Sequence, residues 1–175
     1  MQVTLGLGSH PITHGRVQPE QILIKNPAAD TGFTYELTTA YNEWPTSLAF
    51  QLATDSNAGT RQVSCKLLDP SNNLVAAMPV ASSQAASLTY EYVFLSQLSN
   101  ASAVVGSVVI SPLFNFVIPA AYQIVVAFSG GHVGDQISKI VYYTDRYSTG
   151  PDGYPQGGYD QDDLLAWSTA LANQG

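Results

Sequence analysis

The stretch ASLTYEYVFL, residues 86–95, limits the possible folds more than any other part of the chain. Every second residue is large and apolar: Leu88, Tyr90, Tyr92 and Phe94. Thr89, Glu91 and Val93 lie between them. A period of two belongs to a strand with one packed face and one face toward water. Aromatic and β-branched side chains suit a pleated surface, and neither Gly nor Pro interrupts the run. The stretch is expected to be a central core strand.

The same alternation recurs along the chain. Ile22 and Ile24 share a face, with Leu23 on the other. Phe33, Tyr35 and Leu37 share a face, as do Leu48, Phe50 and Leu52, and Val63, Cys65 and Leu67. A break is expected over 42–45, with Trp44 packing as an anchor. Residues 69–73, DPSNN, are a turn signal that should return 74–80 as a hairpin. Further extended runs are 104–111 and 114–118. In 121–128, Tyr122, Ile124, Val126 and Phe128 share a face. The last strand, 136–145, sets Ile137, Lys139, Val141 and Tyr143 against Ile140 and Tyr142. About ten short strands with Gly-, Pro-, Asn- and Asp-rich loops mean an all-β protein. No helix-length amphipathic segment separates them. The expected fold is an antiparallel β-sandwich, jelly-roll-like.

The tail departs from this pattern. Residues 148–159, STGPDGYPQGGY, keep no strand period and read as an extended Gly/Pro/Tyr-rich arm. Residues 160–173 read as a short C-terminal α-helix. Leu164, Trp167 and Leu171 fall on one stripe, Asp160 can cap, and Asp162 and Asp163 suit the first turn. Such a stripe packs on its own sandwich or, in the sharper reading, on a neighbouring subunit. The expected domains are 1–20, an N-terminal arm or edge strand; 21–147, the sandwich; and 148–175, the arm and helix.

Composition narrows the function classes. Of 175 residues only 11% are charged, and the net charge is -7. Binding to a phosphate backbone needs clustered Lys and Arg, and the six present are scattered, so no nucleic-acid partner is expected. No run of about 18 apolar residues offers a membrane span, and no membrane partner is expected. The first fifteen residues carry neither the basic region nor the apolar run of a secretory signal. A surface so short of charge suits a protein much covered by neighbours; a monomer with a Ser/Thr-rich exterior is the plainer alternative.

No catalytic, cofactor or metal site is expected. His10 and His14 have a helical ligand spacing, but Pro11 and Gly15 disfavour a helix there. His132 stands alone among glycines. Gly6-Leu7-Gly8 lacks the third glycine of a dinucleotide site. Cys65 reads as a buried thiol, the Asp160–Asp163 acids as helix capping. Glu36 and Glu91 are carboxylates on strands, the pair to weigh as the two facing acids of a glycosidase, though nothing in the sequence sets them opposite each other. The tyrosines 142, 143, 147, 154 and 159 cluster in sequence and suit either an interface or a sugar-stacking platform. The expected interface residues are Tyr147, Tyr154, Tyr159, Leu164, Trp167 and Leu171.

A resemblance attaches to the middle of the chain, about 33–147. Its marks are RQVSCKLLDPSNNLV, AASLTYEYVF, IPAAYQIVVAF and GDQISKIVYYTDRY. In these the chain resembles the small capsid decoration (cement) proteins of tailed bacteriophages. The resemblance implies a non-enzymatic virion structural protein, made in the host cytoplasm and placed on the capsid surface. It implies a homo-oligomer, a trimer favoured, that bridges capsomers by binding the major capsid protein. It carries no active-site motif and extends to neck or tail structural proteins. A carbohydrate- or receptor-binding sandwich module is the alternative from the residues themselves.

Overall fold

The computed structural model describes residues 16–98 and 102–148. They form eleven strands: β1 Arg16–Ile24, β2 Phe33–Glu36, β3 Tyr41–Ala53, β4 Thr60–Leu68, β5 Leu74–Pro79, β6 Gln84–Ala85, β7 Thr89–Leu95, β8 Ala103–Val105, β9 Val108–Pro112, β10 Gln123–Ser129 and β11 Gln136–Ser148. The described residues contain no helix; the helix expected at 160–173 lies outside them.

Two sheets result. Sheet A runs β1-β11-β3-β7-β9-β8; sheet B runs β2-β10-β4-β5, with β6 also on β4. Four antiparallel pairs are nested along the chain: β4 with β5, outside it β3 with β7, then β2 with β10, and outermost β1 with β11. Successive pairs in this nest alternate between the sheets. The chain therefore behaves as one long doubled ribbon folded back over itself. β9 is the exception to the antiparallel expectation, because it lies parallel to β7.

The inner faces meet in one core. Leu48, Phe50 and Leu52 of sheet A and Val63, Cys65 and Leu67 of sheet B are all buried, as their alternation requires. Phe33 of β2 meets Phe50 of β3 edge-on across the sheets at 5.7 Å, and Phe50 stacks on Tyr92 at 5.2 Å. Edge-to-face and offset rings add roughly 1 kcal/mol each beyond the area they bury. The expected central strand is real but shorter. It starts at Thr89; Tyr92 and Phe94 are buried, whereas Leu88 lies just outside the strand and is exposed.

Local chemistry explains the turns. Asp69 accepts from the backbone N–H groups of Ser71 and Asn73, and Asn72 takes a φ of 64°, which closes the β4–β5 hairpin. Gly106, at φ 62°, opens the two-residue loop between β8 and β9.

Two expectations of register fail. The break expected over 42–45 is absent, because β3 runs through Trp44 and Pro45. Opposite Pro45 the β3–β11 register shifts, leaving Thr46 as an extra residue, and this irregularity absorbs the proline's missing N–H. In β11 a second shift falls between Ser138 and Val141, with Lys139 at φ 54°. The bulge flips the parity. Ile137 joins Ile140 and Tyr142 in the core, while Val141 and Tyr143 face outward.

Candidate functional site

Of the expected interface residues, Tyr147 is described. It is half-buried near the end of β11, in register with Arg16 and Asn42. Tyr154, Tyr159, Leu164, Trp167 and Leu171 lie outside the described residues, as do His10 and His14. The tyrosines form no exposed platform: Tyr92 and Tyr142 are core residues, and among the described tyrosines only Tyr143 is exposed. Glu36 and Glu91 do not face each other. Glu36 is on the outer side of sheet B beside Gln123, and Glu91 is on the outer side of sheet A beside Gln51. Cys65 is fully buried, and burial pushes its thiol up, away from the thiolate a nucleophile needs. The described residues hold no group of three His, Cys, Asp or Glu side chains placed to bind a metal.

Two buried charge networks sit at opposite ends of the strands. At one end Arg61, the second residue of β4, is completely buried. Its Nε and Nη2 donate to the two oxygens of Asp135 at 2.7 and 2.9 Å, and Nη2 also donates to Asp55 at 2.7 Å. Nη1 donates to the carbonyls of Asn57 and Gly59, both at 3.1 Å. All five guanidinium N–H groups are thus used. Asp135 further accepts from the backbone N–H groups of Asp55 and His132. Burial alone would raise the Asp135 carboxyl. The hydrogen bonds from Arg61, Asp55 and His132, with the Arg61 charge, hold it below the usual carboxylate range. The network ties the β3–β4 loop to the β10–β11 loop and leaves no donor free for a ligand.

At the other end lies Glu43 of β3, also fully buried. Its Oε1 accepts from Tyr35 at 3.0 Å and from Arg146 Nε at 3.1 Å. Arg146 also pairs with Glu20 at 2.5 Å, donates to the Tyr35 hydroxyl at 3.1 Å, and lies over the Tyr41 ring. Burial raises the Glu43 carboxyl despite these partners, and its Oε2 has none, as is true of the buried Tyr142 hydroxyl. Burial, helped by the Glu43 charge, pushes Tyr35 up to about 12. Both networks are built as braces: each links strands or loops distant in sequence.

The surface offers more. Between Asp69 and Asp135 the chain carries a single charged residue, Glu91. That stretch includes β5, β7, β8, β9 and β10. In space it places β5, an edge of sheet B, beside the β8–β9 edge of sheet A: Met78, Leu98, Pro112, Leu113 and Phe116 line one groove of about 430 Å³. Around this flank Val75, Val104, Val105 and Phe116 are exposed, Val105 by 66%. The signal for this flank was plain in the sequence, as a long gap between charged residues; strand alternation does not reveal it.

The outer side of sheet A carries one continuous apolar row. Leu23, Val141, Ala49, Val93, Ile110 and Ala103 stand in register across all six strands. Leu23 is 74% exposed. Tyr143 begins the neighbouring row, opposite Gln21 and Ser47.

No family model matches this chain, and no curated protein matches it. Among solved structures, it is similar to the T13 IBDV viral particle, with 16% identity over 80% of this chain and 33% of that one, at a TM-score of 0.39. It is similar to the infectious bursal disease virus Gx strain, with 18% identity over 81% and 35% of the two chains, at a TM-score of 0.31. To the infectious bursal disease virus VP2 subviral particle it has 13% identity over 91% and 49%, at a TM-score of 0.26. The chain spans between about a third and a half of the length of these proteins.

Proposed function

We propose that this protein is a non-enzymatic structural component of a virion, a decoration protein of a tailed-phage capsid that binds the assembled shell. The observation that carries the reading is the uncharged flank formed by β5 and the β8–β9 hairpin. Stable interfaces are depleted of charge at their centres. Edge strands with exposed valines offer both apolar area and open ladder groups to a neighbour. The nested order β1-β11-β3-β7 over β2-β10-β4-β5 supports a jelly roll as the body.

In this reading the flank contacts the major capsid protein and further copies of this chain, a trimer being the favoured assembly. The mechanism is mass action: a protein that binds the closed shell and not its free subunits stabilises the shell. The test is Val105→Asp combined with Phe116→Asp. The variant should keep its fold by circular dichroism and its melting temperature within a few degrees, yet no longer cosediment with particles. Undiminished cosedimentation would refute the assignment of the flank.

A further inference from the structure

The apolar row on the outer side of sheet A ends on the β8–β9 hairpin of the flank but starts at the opposite edge of the sheet, on β1. Six strands at about 4.8 Å spacing make it about 24 Å long. It runs from Leu23 on β1, through Val141, Ala49 and Val93, to Ile110 and Ala103. An apolar row of that length on a sheet's outer side is surface that a covering layer would bury. We infer that this chain's own C-terminal segment, 160–173, is that layer, and that Leu164, Trp167 and Leu171 lie along the row of the same molecule.

Three observations point to this occupant. The first is where the chain leaves the sandwich. Ser148 ends β11, a strand of the row itself, and 27 residues follow it. Returning from Ser148 to the level of Lys139 requires roughly 30 Å at strand spacing, and the intervening 149–159 reach about 36–40 Å when extended. A tether of that length holds the segment at a local concentration on the order of millimolar, which favours its own sheet over another copy's. The second is size. As a helix, 160–173 would be about 21 Å long, close to the length of the row.

The third is charge. Beside the Leu23–Val141 end of the row, two residues along the chain from each, stand Lys25 and Lys139, both exposed. The segment begins with Asp160, Asp162 and Asp163. This complementarity sets the polarity: the acidic turn lies at the lysines, Leu164 lies near Leu23, and Leu171 lies near Ala49, one strand from Val93. Seven helical residues cover about 10 Å, close to the two strand spacings from Leu23 to Ala49.

The test is cysteine cross-linking in the full-length chain, in which the wild-type Cys65 is buried and unreactive. Leu171→Cys with Val93→Cys, treated with a short bismaleimide, should give an internally cross-linked monomer. Leu171→Cys with Lys66→Cys, on the far sheet, should give none. Cross-linked dimers would mean that a neighbouring copy supplies the segment and would overturn the proposal. The absence of any cross-link, with both cysteines singly labelled, would overturn it too. A second readout does not depend on the cysteines. In a Trp44→Phe background, acrylamide quenching of Trp167 should rise at least threefold when Val141→Glu and Ala49→Glu are introduced into the row. Unchanged quenching in a folded variant would contradict the inference, and unchanged quenching after removal of residues 1–15 is required by it.

Discussion

Arg61 and Asp135 stand 74 residues apart in sequence, yet their side chains meet through two hydrogen bonds, the shorter 2.7 Å, with no exposure of either. They fasten the entry of β4 to the entry of β11, one strand from each sheet. A buried ion pair of this kind contributes little beyond an apolar replacement while intact, but removal of one partner strands the other without solvent. Asp135→Asn is therefore expected to lower the melting temperature by about 10 °C. Arg61→Met combined with Asp135→Leu should recover part of that loss. Thermal unfolding of the two variants checks both statements.

The same pair dictates an acid response. Asp135 and Asp55 both titrate below the ordinary carboxylate range in the folded chain. A carboxyl with a depressed folded value takes up its proton first in the unfolded chain. Its stabilising effect is complete above the unfolded value, near 4, and is lost as pH falls through the lower folded value. Glu43 has the opposite sign, because its folded value is raised and protonation favours the folded state. Urea midpoints should fall between pH 4.5 and pH 2.5 in the wild type. They should fall less in Asp135→Asn. Glu43→Gln should differ above pH 4.5 instead, where the wild type gains stability as pH falls toward the unfolded carboxylate value and the variant does not.

Tyr35 gives a prediction at the alkaline end. Its hydroxyl is held up to about 12 by burial and by Glu43. Below pH 10 this contribution to stability is complete. It is lost as pH rises from about 10, where the unfolded chain ionises, to about 12. Ultraviolet titration of the folded protein should lose one late phenol in Tyr35→Phe, leaving those of Tyr92 and Tyr142, which burial also pushes up.

Packing yields a prediction that does not involve charge. Phe50 is 1% exposed and holds Phe33, Tyr92 and Phe94 together across the two sheets. Phe50→Ala should cost about 3–5 kcal/mol by denaturant unfolding. Phe50→Leu should cost less, since much of the volume is retained.

Two glycines should differ. A Cβ on Gly32 would run into the backbone carbonyl of Val126, on the strand that pairs with β2. Gly106 has open space around it and only its φ of 62° to protect. Gly106→Ala should cost about 1 kcal/mol. Gly32→Ala should cost clearly more, because backbone must move.

Much of this fold is legible from the residues alone. Leu48, Phe50 and Leu52, and Val63, Cys65 and Leu67, declare their strands because nothing interrupts their period and each alternate side chain meets the core. The period misleads where a partner strand sets the conformation. Lys139 looks like an ordinary alternate position, and only pairing with β3 makes it a bulge that turns Val141 and Tyr143 outward. Pro45 looks like a break and is carried within β3 by a neighbouring irregularity. The parallel β7–β9 pair and the meeting of Arg61 with Asp135 depend on long-range closure, which leaves no local trace. The uncharged stretch from Pro70 to Gly134, broken only by Glu91, was in plain view; its meaning emerged once β5 and the β8–β9 hairpin stood side by side.

The most direct test of the account is to count this chain in particles. Virions from cells carrying the gene, banded on a density gradient and measured by quantitative mass spectrometry, should contain it in a fixed proportion to the major shell protein. Recovery of the whole amount in the soluble fraction, with none in the particle band, would contradict a structural role in the shell.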